Sequence, residues 1–267
     1  MQKIILYILS LVGTPFVKFY KSIEAFGTFL LFQLSVLKSF GSIFRRSQLL
    51  LIQIEVIGFG TLGVVTLTAL FTGMVEAVQL YDGFHEFGIE NFMGYTIFVS
   101  ITKELGPVFA SLMLISRAIS AMAAELGTMR VTEQIDAIDI LGINSKEYLI
   151  TPRIIATMIS LPILVIWFDS IAVGSAYMIS TFVLGVNPTA YQETLMQMGA
   201  VSDIMSGVIK GFVFAYIVAS IGTYIGFHTK GGARGVGQST ISAVVYSAIA
   251  IFVANYFLSA LFLFIKF

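Results

Sequence analysis

Residues 103–107 read Lys-Glu-Leu-Gly-Pro, and they open a stretch that continues through Ala-Ala-Glu-Leu-Gly-Thr-Met-Arg-Val-Thr-Glu-Gln-Ile-Asp-Ala-Ile at 123–138. Its first half places a cation beside an anion inside a strongly apolar run. Its second half is a charged amphipathic segment between two hydrophobic segments of membrane length. The stretch therefore predicts a charged site inside a membrane and a polar element outside it.

The composition predicts a polytopic membrane protein. Of the 267 residues, 57% are hydrophobic and 11% are charged, and the mean hydropathy is +0.94. A water-soluble fold of this length could not bury so much apolar surface. The chain contains no cysteine, which excludes disulfides and thiolate metal sites.

The hydrophobic segments predict an all-α fold with about five transmembrane helices, at 48–80, 93–128, 153–184, 203–227 and 239–265. Together they form a transmembrane domain at 47–267. A polar connection is expected at 81–92 and a flexible glycine-rich turn at 231–237. Between the second and third spans, a helix is expected within about 129–148, because apolar residues recur there at helical spacing, at Val131, Ile135, Ile138 and Leu141.

Residues 1–46 predict N-terminal interfacial or elbow helices. The two apolar runs, about 4–17 and 23–37, are each shorter than the ~20 residues needed to cross a bilayer. Lys3 precedes an apolar core as in a signal peptide. No Ala-x-Ala cleavage site follows, however, so we expect the segment to be retained.

The distribution of lysine and arginine predicts a cytoplasmic N-terminus. In that orientation the cytoplasmic segments hold eleven of these residues, whereas the outer segments hold only Lys266. Both outer connections are acidic or neutral. This asymmetry follows the positive-inside rule.

Three charged residues lie in the outer halves of predicted spans: Lys103, Glu104 and Lys210. A charge near the bilayer centre costs ~2.5–3.5 kcal/mol, so such side chains should face protein or a water-filled cavity. Lys103, Glu104 and Lys210 could therefore border a ligand cavity, or they could form ion pairs that hold helices together.

Apolar residues beside these charges suggest an amphiphilic ligand. Glu104 and Val108 share a helix face, with Leu105 next to them, so an acid borders an apolar wall. Phe84 and Phe87 either extend that wall or anchor the chain at the interface. Such a site suits a lipid, with acyl chains on the apolar side and a headgroup among the charges.

Small residues and one further acid are expected to have structural roles. Contact surfaces between helices are predicted where small residues recur, at Gly58, Gly60, Gly63, Ser116, Ser120, Ala124, Gly207, Gly211, Ala215 and Ala219. Asp169 lies in the middle of the third span. We expect it to form hydrogen bonds, with a proton relay as the alternative.

The motifs resemble those of the MlaE (YrbE) permeases, membrane subunits of ABC transporters that move phospholipids and similar lipids with MCE-domain partners. The resemblance runs from about Leu50 to the C-terminus. In that family a basic-Glu-Leu-Gly-Pro motif and a lysine of the fourth span line the lipid cavity, and Lys103, Glu104 and Lys210 match them. After the glycine-rich turn the chain has Ser-Thr-Ile at 239–241, where the family usually has Ala-Thr-Thr.

The amphipathic segment also resembles a known element. Asp136-Ala137 followed by Gly142 resembles the loop that ABC importer permeases insert into their ATPases, and Glu-Gln-Ile-Asp-Ala at 133–137 resembles the version in MlaE permeases. The resemblance assigns ATPase coupling to Glu133, Asp136, Ala137 and Gly142. Because this chain has no P-loop, ATP is expected to bind to a partner subunit. We expect no catalytic residue, metal or cofactor in the chain itself.

The resemblance implies a homodimer with two ATPase subunits and an MCE-domain ring on the outer face, joined in some members by a STAS-domain protein. The chain would lie in the bacterial inner membrane, move phospholipid and maintain outer-membrane lipid asymmetry, without nucleic-acid partners. A secondary transporter or channel that uses Glu104, Asp169 and Glu76 as a relay is the alternative, and a scaffold without transport is another. Copurification of an ATPase would favour the first hypothesis.

Overall fold

The computed structural model describes residues 17, 20, 23–41 and 47–265, which form helices and turns without a strand. The helices are α1 (23–38), α2 (Ser47–Glu86), α3 (Glu90–Val131), α4 (Gln134–Ile140), α5 (Lys146–Val183), α6 (Pro188–Met198), α7 (Val201–Phe227) and α8 (Gly232–Ile265). Within the described ranges, five of them are long and apolar enough to cross a membrane: α2, α3, α5, α7 and α8. The predicted all-α membrane fold is confirmed.

Several helices extend beyond their predicted ends. The connection predicted at 81–92 is largely helical, since α2 continues to Glu86, and most of the glycine-rich segment 231–237 forms the first turns of α8. At 1.5 Å per residue, the 42 residues of α3 span about 63 Å, twice the ~30 Å hydrocarbon thickness. Hydropathy detects only the apolar part of such a helix. The helix, with its backbone hydrogen bonds, continues beyond that part into more polar sequence.

The core lies between α3, α5 and α7. In their most apolar windows half of the residues are buried, compared with 22% in α2 and 6% in α8. Helix α2 packs on α5, and α8 packs on α7 and α3. The buried residues of α8, namely Ala243, Ser247 and Ile251, follow one another at four-residue spacing. Helix α8 therefore covers the core through one narrow stripe.

Glycines allow two pairs of helices to approach backbone to backbone. A Cβ atom on Gly73 of α2 would lie 2.0 Å from the carbonyl oxygen of Ala172, and one on Gly207 of α7 would lie 2.2 Å from that of Thr102. The predicted contact at Gly207 is thus present. Gly63 has open space instead, with nothing in the described structure within 4 Å of its Cβ position.

Helix α1 packs on one end of the bundle. The Phe32 ring lies 5.3 Å from that of Tyr224 and 5.6 Å from that of Phe227, near the end of α7. At the start of α5, the Lys146 ammonium donates a hydrogen bond to Ser35 Oγ at 3.1 Å. The apolar run predicted at 4–17 lies, except for residue 17, outside the described residues. An interfacial position for the N-terminal segment stays a prediction.

Helix α6 was missed by the sequence analysis. Asn187 precedes it, and its side-chain oxygen accepts hydrogen bonds from the backbone N–H groups of Thr189 and Ala190. Pro188 occupies the first helical position. Asparagine followed by proline is a helix-start signal, which only the weakly apolar character of this segment obscured.

We expect Gly73→Ala to destabilise the protein, because the added methyl group would collide with the backbone of α5. Overpacking of this kind typically costs about 1–3 kcal/mol. Gly63→Ala in the same helix is the matched control, since its methyl group would enter open space. Thermal unfolding in detergent should show a lower Tm only for Gly73→Ala. Equal shifts for both variants would contradict the close contact of α2 and α5.

Candidate functional site

The site begins at a widened turn of α3. Residues Ile101–Leu105 form a π-turn, in which the Gly106 N–H donates to the Ile101 carbonyl five residues back. Pro107 follows and has no N–H. In a regular helix that N–H would bond to the carbonyl of Lys103, so the proline releases this carbonyl for another donor.

Lys210 of α7 supplies that donor. Its ammonium donates hydrogen bonds to the Lys103 carbonyl at 2.7 Å, to Glu104 Oε1 at 2.9 Å and to Ser259 Oγ at 2.8 Å. The side chain is only 2% exposed. Because an ammonium has three donors, that of Lys210 is fully satisfied inside the chain.

Glu104 joins three helices. Its Oε1 accepts from Lys210 of α7 and from Ser259 Oγ of α8 at 2.8 Å, and its Oε2 accepts from Asn255 Nδ2 of α8 at 2.8 Å. In contrast to Lys210, the Glu104 side chain is 45% exposed. The carboxylate is therefore held firmly and still faces open space.

Lys103 belongs to a separate ion pair. Its ammonium lies 2.8 Å from Asp203 Oδ1, and the lysine side chain is 33% exposed. The other oxygen of Asp203 accepts the backbone N–H of Ala200 at 3.1 Å, at the start of α7. Lys103 and Lys210 thus have different anionic partners, and Lys103 is the accessible cation.

A cleft of about 160 Å³ opens beside these groups. Its lining combines charged and hydroxyl groups with apolar side chains; the lining residues are Lys103, Glu104, Ser206, Lys210, Ser259, Phe262 and Leu263. An amphiphilic group fits this mixed lining. The charged groups can orient a polar headgroup.

The structure brings together only part of the predicted site. Lys103, Glu104 and Lys210 meet, whereas Leu105, Val108 and Phe84 pack against the hydrophobic core. Phe87 lies beyond the end of α2 and is 77% exposed. None of these four lines the cleft, so their binding role stays a prediction. Sequence reasoning missed Asp203, Ser206, Asn255, Ser259 and Phe262.

A short helix lies within the predicted coupling segment at about 129–148. Helix α3 ends at Val131, and α4 comprises Gln134–Ile140. The break occurs at Glu133, whose backbone is left-handed with φ of 59°. Gly142 has φ of 77° and follows α4 closely, as expected for a helix terminus.

Helix α4 is held rigidly against the ends of its neighbours. Arg130 Nη1 lies 2.6 Å from Asp136 Oδ1, and the carboxylate of Asp139 accepts hydrogen bonds from the N–H and hydroxyl of Ser145 at 3.0 and 3.1 Å. Ile135 is fully buried. The short helix is therefore a fixed projection at the end of α3.

Two large apolar side chains point away from this projection. Ile140 is 85% exposed and Leu141 is 75% exposed. Leu141 shares the helical spacing of Ile135 but, unlike Ile135, it is not buried. Glu133, Asp136 and Ala137 are also exposed, and their coupling role stays a prediction.

In the part of the chain that the structure describes, no hydrogen bond joins the acids of the alternative relay. Asp169 is 6% exposed, and neither of its carboxylate oxygens has a hydrogen-bond partner in the described structure, contrary to the expected role. It lies over Gly106, where a Cβ atom would come within 1.8 Å of Oδ1. Glu76 accepts from Ser100 Oγ at 2.9 Å, and Glu104 has the partners described above.

The chain is similar to known proteins along most of its length. A family model described as Permease MlaE matches residues 50–261. A Rickettsia prowazekii protein named a probable ABC transporter permease is 40% identical, over 97% of this chain and 98% of that protein. The intermembrane phospholipid transport system permease protein MlaE of Haemophilus influenzae is 30% identical, over 95% and 96%. The chloroplastic protein TRIGALACTOSYLDIACYLGLYCEROL 1 of Arabidopsis thaliana is 39% identical, over 79% and 60%.

We expect Glu104→Leu to destabilise the protein far more than Lys210→Met. Leucine at 104 leaves a buried ammonium without its anion, a change that typically costs about 3–5 kcal/mol. Methionine at 210 leaves a half-exposed carboxylate that Asn255 and Ser259 still bind. Thermal unfolding of both variants in nanodiscs measures the difference.

The double variant Glu104→Leu/Lys210→Met is the control for this asymmetry. It should regain much of the Tm lost in Glu104→Leu, because no uncompensated charge is left in the core. Equal losses in the two single variants, without recovery in the double variant, would contradict the burial of Lys210.

Proposed function

The chain belongs to the MlaE permease family, and we propose on this premise that it is the membrane subunit of an ATP-driven phospholipid transporter. It would exchange lipids between the bacterial inner membrane and periplasmic MCE-domain proteins, and so maintain outer-membrane lipid asymmetry. The name of the Haemophilus influenzae relative supports the substrate class. The name of the Rickettsia prowazekii relative supports the ABC assignment.

The observation that carries this proposal is the cleft at Glu104, whose lining is both charged and apolar. Lys210 has no donor left for a ligand, so Lys103 and Glu104 are the charged groups that meet a headgroup. Phe262 and Leu263 supply the wall for an acyl chain. A lysine ammonium binds phosphate as a point charge and does not form the bidentate pair of an arginine. We therefore propose that Lys103 attracts the lipid phosphate and that Glu104 limits the positive charge of the site.

The size of the cleft favours a homodimer. Pockets that enclose drug-sized ligands measure roughly 300–1,000 Å³, and the cleft of one chain is about 160 Å³. Helix α8 borders the cleft and exposes most of its surface, including Phe252, Tyr256 and Phe257. A second copy that packs on α8 would enlarge and enclose the cavity. Two copies would also present two α4 projections.

Those projections are the proposed docking sites for two ATPase subunits. The chain has no P-loop, so hydrolysis requires a separate protein. Helices α1 and α4 lie at the same end of the bundle, since Arg130 stacks over the Phe227 ring at 5.9 Å beside α1. The distribution of lysine and arginine supports a cytoplasmic position for this end. The MCE ring, and a STAS-domain protein where one is present, would complete the assembly.

We expect Glu104→Arg to reduce lipid transport far more than Glu104→Gln. The amide can still accept from Lys210, whereas arginine adds a third cation beside Lys103 and Lys210. Transport between inner-membrane vesicles and an MCE acceptor measures the effect at matched protein levels. Asp82→Arg is the control, because it makes the same charge change on an exposed part of α2.

The proton-coupled alternative predicts a different order of effects for the two variants. There Glu104→Gln alone should abolish transport, since an amide cannot carry a proton, and arginine should be no worse. That outcome would refute the headgroup role of Glu104.

We also expect Leu141→Asp, combined with Ile140→Asp, to abolish copurification of the ATPase while the bound lipid is unchanged. A charge on each exposed side chain removes the apolar contact area at the end of α4. About 40 Å of α3 separates Glu104, in the lipid cleft, from Val131, where α3 ends, so the lipid site should be unaffected. Met196→Asp on α6 is the matched control, since Met196 is 79% exposed and lies elsewhere. Full retention of the ATPase by the α4 variant would contradict this docking site.

A further inference from the structure

We propose that a second cleft, between α2 and α3 around Arg117, binds the phosphate group of a membrane phospholipid. Arg117 lies thirteen residues from Glu104 on α3, or about 20 Å along the helix. The site is therefore distinct from the cleft at Glu104. It lies toward the end of the bundle that carries α4.

Two widened turns face each other at this cleft. Val56 lies in the π-turn Glu55–Phe59 of α2, and Arg117 lies in the π-turn Ile115–Ile119 of α3. In a regular helix the Gly60 N–H would donate to the Val56 carbonyl, but it donates to the Glu55 carbonyl. The Val56 carbonyl instead accepts a hydrogen bond from Arg117 Nη1 at 3.0 Å. Turns of this kind are frequent at functional sites.

A glycine makes room for the guanidinium. A Cβ atom on Gly60 would lie 2.3 Å from Arg117 Nη1 and 2.5 Å from Nη2. Arg117 therefore lies directly across the backbone of α2, and one hydrogen bond holds it there. This position is fixed by the fold and is available before any ligand arrives.

The guanidinium retains most of its hydrogen-bonding capacity. It has five N–H donors, and Arg117 makes one side-chain hydrogen bond and no ion pair among the described residues. The side chain is exposed. The other charges of the cleft neutralise each other, because Arg153 Nη2 lies 2.9 Å from Glu125 Oε1. The cleft therefore has one uncompensated positive charge.

The walls fit a lipid better than a free anion. The cleft has a volume of about 210 Å³ and is mainly apolar, with Gln53, Val56, Ile57, Ala118, Ala121 and Met122 beside the charged residues. Arginine binds a phosphate through two parallel hydrogen bonds, and the apolar residues can contact the attached chains. Inorganic phosphate has no apolar chain to contact those residues, so they would not strengthen its binding.

The level of Arg117 in the bilayer suits a headgroup phosphate. Arg117 lies 24 residues, or about 36 Å, from the outer end of the span predicted at 93–128, slightly more than the ~30 Å hydrocarbon thickness. This distance places it near the headgroups of the opposite leaflet. A lipid phosphate at that level can pair with the guanidinium while one of its N–H groups stays bonded to Val56 of α2.

Binding of short-chain phosphatidylglycerol to the detergent-solubilised full chain tests this site. Native mass spectrometry counts the bound lipids over a titration. We expect Arg117→Gln to lose one bound lipid, or to weaken its binding by about tenfold or more. Arg117→Lys should retain part of the affinity, since the charge stays but the paired donors are lost. Arg234→Gln removes an exposed arginine outside the cleft and should bind as the unaltered chain does.

Three outcomes would overturn the proposal. One is equal lipid binding by Arg117→Gln and the unaltered chain, even if the variant has a lower Tm, because Arg117 would then only join α2 to α3. Another is displacement of the lipid by millimolar inorganic phosphate, which would indicate a site for free anions. A third is cross-linking of this cleft to a second copy of the chain. The assay measures binding alone, so its result does not depend on whether the chain transports lipid.

Discussion

A buried ammonium needs an acceptor for each of its three hydrogens, and this requirement at Lys210 organises the centre of the molecule. The acceptors come from α3 and α8, so α7 cannot pack correctly unless both are in place. Gly207 brings α7 close enough to α3 for the contact. Pro107 frees the carbonyl of Lys103 to take part in it. The Lys-Glu-Leu-Gly-Pro motif thus supplies an anion, an unpaired carbonyl and the proline that unpairs it.

The same solution occurs twice along α3, which supplies the carbonyl in one case and the basic side chain in the other. At each widened turn, a basic side chain of one helix bonds to a backbone carbonyl whose regular partner is missing or diverted. Lys210 does this for Lys103, and Arg117 does it for Val56. The two differ in exposure: the ammonium of Lys210 is enclosed and saturated, whereas the guanidinium of Arg117 faces outward. Burial therefore separates a basic group that holds helices together from one that can bind a ligand.

Hydropathy predicted the five long helices because each needs an apolar surface of membrane length, and the depths of Glu104 and Lys210 in their helices predicted that they could meet. Asn255 and Ser259 were missed, since one amide and one hydroxyl in an apolar helix do not show which neighbour they face. The start of α4 could not be predicted, because nothing in the residue pattern marks Glu133 as left-handed. Asp169 was expected to have a hydrogen-bond partner. Its place over Gly106 depends on the packing of α5 on α3, which spacing along the chain does not reveal.

Helix α3 connects the cleft directly to the projection formed by α4. No loop interrupts it between Glu104 and Val131, a distance of about 40 Å. It therefore acts mechanically as a rod with two softer points, the widened turns. A tilt of about 5° about the upper turn displaces the lower end by roughly 3–4 Å over that length. A small tilt of α3 at the cleft is therefore enough to displace α4 by several ångströms while the helix between them keeps its shape.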